Sequence, residues 1–534
     1  MARITTSNSL TDFDMCLALA QSAINSQLRD AWKIWKAKRN FSDTIRVFKF
    51  EESGAIKDSK FGIEATIAPL EVNLNLDENR GTQVEVTLRL ESGRVLYLDP
   101  EEAKPAEHPI SNWTIPFAAD LEKQPVDLAA LKAIDPDAAK TAATVVTRAG
   151  LDESVFSIEY LFLKLTDIEL LLVDNKRIGM PVNTPSGART RALTALNVLL
   201  HHDLGRFVLG TVVRRNTKQA APTFALTDFF FDRSRNEAAP AAATLDYLGM
   251  MSGRPMPPVR AKLRGGWIRP EQIDGRESSV SGVMAITGRL FLEQYLIPKF
   301  QQALTRVDWQ SVLGTAGVSR PVGDPGPTPT RNGLTWTFAE SVTTSTNLPE
   351  TIGTLTLTLI QSYSLTVQAL PSTSPQQIAI SGRIDCKVHI DGSFLDVKTQ
   401  YIHVEGHQDV TGGIALTGSG IGTAFELKSV LAYQFKDPVQ DKNESGGAIP
   451  TLAVFGDIAK SVGLMAKTPA ELLVSVQNRT AEKLMQTLKA ALGRLDMDLN
   501  QHTFIPPGGG VFTFQNPCFS NAGDLFMDVI YRRT

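Results

Sequence analysis

FDMCLALAQSAINSQLRDAW, residues 13–32, is the heart of a stretch from Asp12 to Trp35 whose period decides the fold. Placed on a 3.6-residue helix, Phe13, Leu17, Ala20, Ile24, Leu28, Ala31 and Trp35 fall on one face, and Cys16 and Ile34 widen it. Thr11 followed by Asp14 gives an N-cap and a short capping box. The spacing predicts one helix of about 36 Å at 1.5 Å per residue. An apolar stripe of that length needs a partner along all of it, and a curved sheet of long strands supplies one.

Strand signals follow at once. Residues 44–50 and 61–76 read as strands, the second spanning roughly 53 Å at about 3.3 Å per residue. Its apolar phase slips at Pro69, from Phe61, Ile63, Ala65 and Ile67 to Leu70, Val72, Leu74 and Leu76, which predicts a bulge or bend there. Val84, Val86, Leu88 and Leu90 continue the alternation, and Glu91 to Arg94 reads as a hairpin turn. Residues 99–150 are looser, with a short helix over 127–134. Strand patterns recur over 155–173, 206–214 and 223–231, and a helix is predicted over 186–202 with Leu193, Leu196 and Leu200 inward.

A Pro/Gly-punctuated segment after LDYLGMM (245–251) marks a boundary, dividing the chain into modules 1–255 and 256–534. Beyond it the opening element recurs. Val283, Ile286, Leu290, Ile297, Phe300 and Leu304 form a second helical stripe over 281–304, which Pro298 must kink or restart. Strands follow over 334–338, 353–369, 377–390 and 394–405 and onward to Phe435. A third helix starts at Thr468-Pro-Ala-Glu471, with Thr as cap and Glu closing the capping box, and carries Leu473, Val476, Leu484, Leu488, Ala491 and Leu495. Short strands at 512–515 and 526–532 end the chain.

Composition sets the class. A chain of 534 residues exceeds one compact core and predicts two to four domains. Hydrophobic residues make up 43% and charged residues 21%, which is ordinary globular usage. A net charge of −3 gives no electrostatic case for nucleic acid. Cys16, Cys386 and Cys518 are too scattered for a disulfide framework or metal finger. Residues 1–20 lack a basic start and an unbroken apolar run, so cytoplasmic synthesis without a signal peptide is expected. No run of 18 apolar residues predicts a transmembrane helix.

Catalytic motifs are missing. His403-Val-Glu405-Gly-His407 lacks the H-E-x-x-H order, and on a strand the two histidines stand about 13 Å apart, too far for one metal. His201-His202 would diverge on a helix. Gly418-Ser-Gly420-Ile-Gly422-Thr423 has no third glycine and precedes strands rather than a helix. Neither a phosphate-binding G-x-x-x-x-G-K-[ST] loop nor a G-x-S-x-G elbow occurs. The expectation is a protein with no catalytic residues, no metal and no cofactor. Cys16 reads as a small buried hydrophobe.

The opening stretch, LDYLGMM at 245–251, GRLFLEQYLIPKF at 288–300 and FIPPGGGVFTFQNPCFSNAGDLFMDVIY at 504–531 resemble the TULIP superfamily of tubular, BPI-like lipid-binding proteins. More narrowly they resemble the forty-seven-kilodalton and OrfX proteins found beside botulinum neurotoxin genes. The resemblance implies an α+β fold of TULIP type, with long amphipathic helices wrapped by strongly curved antiparallel sheets in two elongated modules. It also implies a lipid or other apolar molecule lodged between helix and sheet. Small residues such as Ala20 and Ala31 leave room there for an acyl chain. The candidate groove is Phe13, Leu17, Ala20, Ile24, Leu28, Val283, Ile286, Leu290 and Ile297. Toxin or other toxin-cluster proteins are the expected protein partners, with release alongside a toxin complex. The competing expectation keeps the fold and closes its core, giving a scaffold or chaperone-like component that binds proteins and no lipid.

Overall fold

The structure, a computed structural model, describes residues 10, 12–38, 42–52, 55–76, 83–148, 156–164, 178–202, 206–215, 226–251, 253–257, 266–273, 280–304, 326–348, 354–371, 377–394, 397–418, 425–434, 478, 482, 484, 486–488, 503–505 and 511–532. The glycine-rich run after Gly418, the capping box at Thr468 and residue Thr11 lie outside them.

The opening stretch is not one helix. Met15–Ala20 is strand β1, and the helix α1 (Gln21–Lys38) starts only after it. Every residue of β1 is buried. It pairs antiparallel with β10 (Thr244–Met251) on one side and β11 (Gly282–Ile286) on the other, Leu17 standing between Tyr247 and Met284. Met15, Leu17 and Leu19 point into the main core, while Cys16, Ala18 and Ala20 join Leu248, Met250, Val283, Ala285 and Phe526 under Trp267 and Ile268. A strand covered on both faces needs an apolar residue at every position, so it shows no period of two. A run of six such residues also satisfies one face of a helix, which is why the 3.6-residue period misleads there.

The second stripe departs in the same way. Residues 282–286 are β11, and only then does a helix form, π-type over Arg289–Leu296 and α-type over Ile297–Leu304. The change falls next to Pro298, as its sequence demands. A wider turn relieves the clash that a proline ring makes with the carbonyl four residues back in an α-helix.

These strands belong to a central six-stranded sheet, ordered β19 (Val511–Phe519), β20 (Leu525–Arg532), β11, β1, β10, β9 (Leu226–Ser234). Reading outward from the β1–β11 pair, each side presents the same succession. Residues 15–20 are followed by the strands at 244–251 and 226–234, and residues 282–286 by those at 525–532 and 511–519.

Two further sheets are antiparallel throughout their named strands. One runs β18 (Thr503–Ile505), β8 (Arg206–Arg215), β7 (Phe156–Lys164), β6 (Pro105–Val126), β5 (Gln83–Leu98), β3 (Ala55–Ile67), β2 (Thr44–Glu52), with β4 (Glu71–Asn73) beside β5. The other runs β12 (Thr330–Asn332), β13 (Thr335–Leu348), β14 (Thr354–Ala369), β15 (Ile378–Phe394), β16 (Val397–Gly418), β17 (Phe425–Gln434). Register shifts at Val47/Lys49, Thr66/Ile67 and Leu161/Phe162 add local twist. Among the described residues the fold is β-rich with a curled half-barrel sheet and few helices, and it is not built on the long amphipathic helices expected of it.

Two local expectations also change. The long strand over 61–76 breaks at Pro69, ending at Ile67 and resuming as β4, because a proline cannot donate to the ladder. Residues 91–94 are no hairpin: β5 continues through them with a bend and the chain reverses only at 99–104, where Asp99 and Lys104 close the loop. Gly93 adopts φ +147°, and a Cβ there would stand 2.2 Å from the Glu64 carbonyl. Glycine lets β3 and β5 approach at that bend. The loose region after residue 99 contains β6, 22 residues long, followed by α2 (Leu128–Ile134) and α3 (Pro136–Arg148). The predicted helix over 186–202 is α4 (Ser186–His202).

Candidate functional site

Helix α1 supplies the first wall of the candidate site. Ile24, Leu28 and Trp32, four residues apart, are buried in the main core together with Ile63, Ile67, Val72 and Leu74 of the neighbouring strands and loop. Each fully buried side chain of this kind stabilises the fold by roughly 1.5–3 kcal/mol. The flank of the helix acts as a substitute strand for β4. The Asn25 amide donates to the Val72 carbonyl at 3.0 Å and accepts from the Val72 N–H at 2.7 Å. One turn earlier Gln21 accepts from the Leu74 N–H at 2.8 Å. β4 pairs with β5 on one edge, and these amides satisfy its other edge.

The candidate groove residues divide between two faces. Leu17, Ile24, Leu28, Ile286, Leu290 and Ile297 share the main core, whereas Phe13, Ala20 and Val283 lie in the cluster behind the central sheet. Alternation along β1 and β11 makes the division, since neighbours on a strand face opposite ways. All nine are at most 5% exposed. Cys16 is fully buried, and its thiol is pushed well above the ordinary range by burial and by nearby Asp246, which keeps it neutral.

The interior of the second large sheet contains polar groups that the sequence leaves inconspicuous. One ladder row runs Glu340, Tyr363, Ile384, Gln408 across β13 to β16, and the next runs Val342, Gln361, Cys386, Gly406. Tyr363, Ile384, Gln361, Cys386 and Gln408 are each at most 3% exposed. Neither amide atom of Gln408 has a hydrogen-bond partner. A buried polar group left unpaired costs roughly 1–3 kcal/mol. On the same face of β16 stand Val410 and Ile414, both in the main core, so Gln408 interrupts an apolar row. A glutamine in a strand usually reads as solvent-facing. Its inward register becomes visible only through the pairing with Ile384.

Two buried carboxylates anchor the central sheet. Asp14, fully buried, accepts from the Met251 N–H at 2.9 Å, from Arg254 at 2.5 Å and from Arg289 at 2.6 Å. It is therefore a junction residue rather than part of a capping box. Asp246 on β10 accepts from Ser234, from Thr244 at 2.6 Å and from the Trp267 indole at 3.3 Å. Burial pushes its pKa up to about 7 against those hydrogen bonds.

His403 and His407 lie on one strand, β16, opposite His389 and Asp385. Among the described residues no group of three or more His, Cys, Asp or Glu is placed to hold a metal. Among the same residues no helix is long and apolar enough to cross a membrane. Leu484 and Leu488 of the predicted third helix are buried in the main core.

No protein-family profile matches the chain, and no curated protein sequence matches it. Among solved structures, P47 of Clostridium botulinum E1 aligns with 97% of this chain and 98% of its own at 8% identity and a TM-score of 0.43. P47 from Clostridium botulinum A2 aligns over 98% of both chains at 10% identity and a TM-score of 0.44. A lipopolysaccharide binding protein aligns over 98% of this chain and 99% of its own at 9% identity and a TM-score of 0.29. Each of the three alignments spans nearly the whole of this chain, at a TM-score below 0.5.

Proposed function

We propose that this protein is a non-catalytic, TULIP-type binder of a lipid or other apolar molecule, held between helix and curled sheet, and a component of a bacterial toxin complex. It works as two modules, 1–255 and 256–534, that meet at the β1–β11 pair. The observation that carries the reading is α1 laid beside β4, with Ile24, Leu28 and Trp32 in the main core and its rim fixed by Asn25 and Gln21. From Ile24 to Trp32 that arrangement gives an apolar seam of about 12 Å at 1.5 Å per residue. The toxin partnership rests on the sequence resemblance to the OrfX proteins.

Native mass spectrometry of the purified protein, with solvent extraction and lipid analysis of the same sample, tests the binding. A bound species that extraction removes is the expected result. A bare polypeptide mass after expression in several lipid backgrounds would leave the second reading, a closed-core scaffold that binds protein partners alone. What favours that second reading is the near-complete burial of all nine candidate groove residues.

A further inference from the structure

Asp246 holds a carboxyl at the back of the central sheet, 1% exposed, in a row of that face that reads Asp232, Asp246, Ala18, Val283, Asp528 from β9 to β20. Asp232 stands directly opposite it, where like charges repel. The arginines in and beside β9 and β10 bind elsewhere: Arg233 to the Leu74 and Leu76 carbonyls, Arg235 to Glu237 and Arg254 to Asp14. Cys16, on the same face of β1, keeps a neutral thiol. Among the described residues, burial and the Asp232 charge thus outweigh the three groups that donate to Asp246, which are Ser234, Thr244 and the Trp267 indole.

The element that closes over this carboxyl is short. Residues 266–273 lie on the back face with Trp267 and Ile268 buried, Arg269 half-buried and Glu271 exposed. Trp267 donates its indole N–H to Asp246 at 3.3 Å and rests on the Phe526 ring, while the Gln272 carbonyl accepts from the Val280 N–H at 3.0 Å. Gly266 precedes Trp267 with φ +95°, and nothing lies within 4 Å of where its Cβ would stand, so the segment can turn there without a clash. A carboxyl forced to ionise beneath an indole and an apolar cluster is hydrated most readily by lifting that cover.

We propose that residues 266–273 are a charge-operated strap, closed over the back of the central sheet while Asp246 holds its proton and released when Asp246 ionises. Protonated, the carboxyl donates to the Thr244 hydroxyl and still accepts from Trp267. Ionised, it faces Asp232 out of water. Release uncovers Cys16 and Ala18 together with Phe13, Ala20 and Val283, which share one cluster with Trp267. The sign follows from a pKa of about 7 under the strap against the ordinary 3.8. Between those values the closed strap keeps a proton that the released one loses, so closure is complete below about pH 4, weakens as pH rises to 7 and changes little above it. Full hydration of the released carboxyl makes the released fraction about a hundredfold larger at pH 8 than at pH 5. The strap does not depend on the apolar-binding reading.

The test is thiol labelling of the full-length protein under native conditions at pH 5 and pH 8, each cysteine read by peptide mass spectrometry. Wild type and Asp246→Asn are labelled side by side at each pH, which cancels the reagent's own pH dependence. The wild-type-to-variant ratio of Cys16 labelling rates should rise by about tenfold or more from pH 5 to pH 8. Cys386, buried in the second large sheet, should stay slow in both. A ratio that does not rise overturns the strap. So does a Cys386 rate that climbs in step with that of Cys16, because it reports unfolding of the whole molecule. Trp267→Ala should label Cys16 quickly at both pH values, and a Cys16 that stays protected in that variant also overturns the strap. Asp246→Ser serves as the uncharged variant should the asparagine fail to fold.

Discussion

Asp14 and Arg289 are 275 residues apart in sequence and 2.6 Å apart in space. Arg254, which follows β10, reaches the same carboxylate oxygen, so the start of β1 is tied to both neighbouring strands' ends by one buried charge. Asp14→Ala should destabilise the protein by about 2–3 kcal/mol. Breaking a buried pair costs about 3–5 kcal/mol, and the lower figure applies because the two guanidiniums are 36% and 38% exposed and water can take over part of the loss. Asp14→Asn keeps an acceptor for the Met251 N–H and should cost less. Urea unfolding of both variants measures the difference, and a loss below about 0.5 kcal/mol for alanine would mean that the arginines solvate freely without Asp14.

Asp246 gives the stability a pH dependence of defined sign. Its folded pKa of about 7 stands above the ordinary 3.8, so between about pH 4 and pH 7 the folded protein holds a proton that the unfolded chain has released. Stability contributed by this residue is complete below pH 4, falls as pH rises through 7, and levels off above it. The loss is of the order of a few kcal/mol, since each pKa unit is worth about 1.4 kcal/mol. Asp246→Asn mimics the protonated form. Urea midpoints at pH 5 and pH 8 should therefore separate for wild type more than for the variant. Equal separations would show that the carboxyl titrates in the ordinary range.

Gly93→Ala tests the bend in β5. The added methyl meets the Glu64 carbonyl and the Ala65 backbone, neither of which can swing away as a side-chain tip can. Together with the strained φ this should cost about 1–3 kcal/mol, visible as a lowered melting temperature. Wild-type stability in the variant would require β3 and β5 to separate there, which loss of amide protection at Ala65 would reveal.

What could be read from the sequence depended on how many faces of an element are covered. In β14, Leu355, Leu357 and Leu359 alternate with threonines, and the strand was predictable to within a residue, as was helix α4. β1, β10 and β11 are covered on both faces and show no alternation. Their type is set by pairing with one another across more than 200 residues, a relation no local period contains. The junction at Asp14 and the inward turn of Gln408 were hidden for the same reason. In each case the partner that gives the residue its meaning is remote in the chain.

The two-face division also relocates the test that separates an open groove from a closed core. Ala20 sits near the middle of the predicted helical face, yet it faces the cluster under Trp267, behind the central sheet. Ala20→Phe should therefore lower the melting temperature and leave lipid content unchanged, overpacking costing about 1–3 kcal/mol. The informative position is Ala192 on α4, fully buried in the main core between Ala188 and Ala195 on the same helix. Three small residues along one helix keep its backbone close to whatever it covers. If α4 borders a groove, Ala192→Phe fills it, and extracted lipid disappears while melting holds. Were α4 packed against protein alone, the ring would displace side chains of the strands that α4 covers, β2, β3 and β5, and melting would fall with no lipid in either preparation. The carrier reading predicts the first result, measured as lipid per polypeptide in wild type, Ala20→Phe and Ala192→Phe prepared side by side.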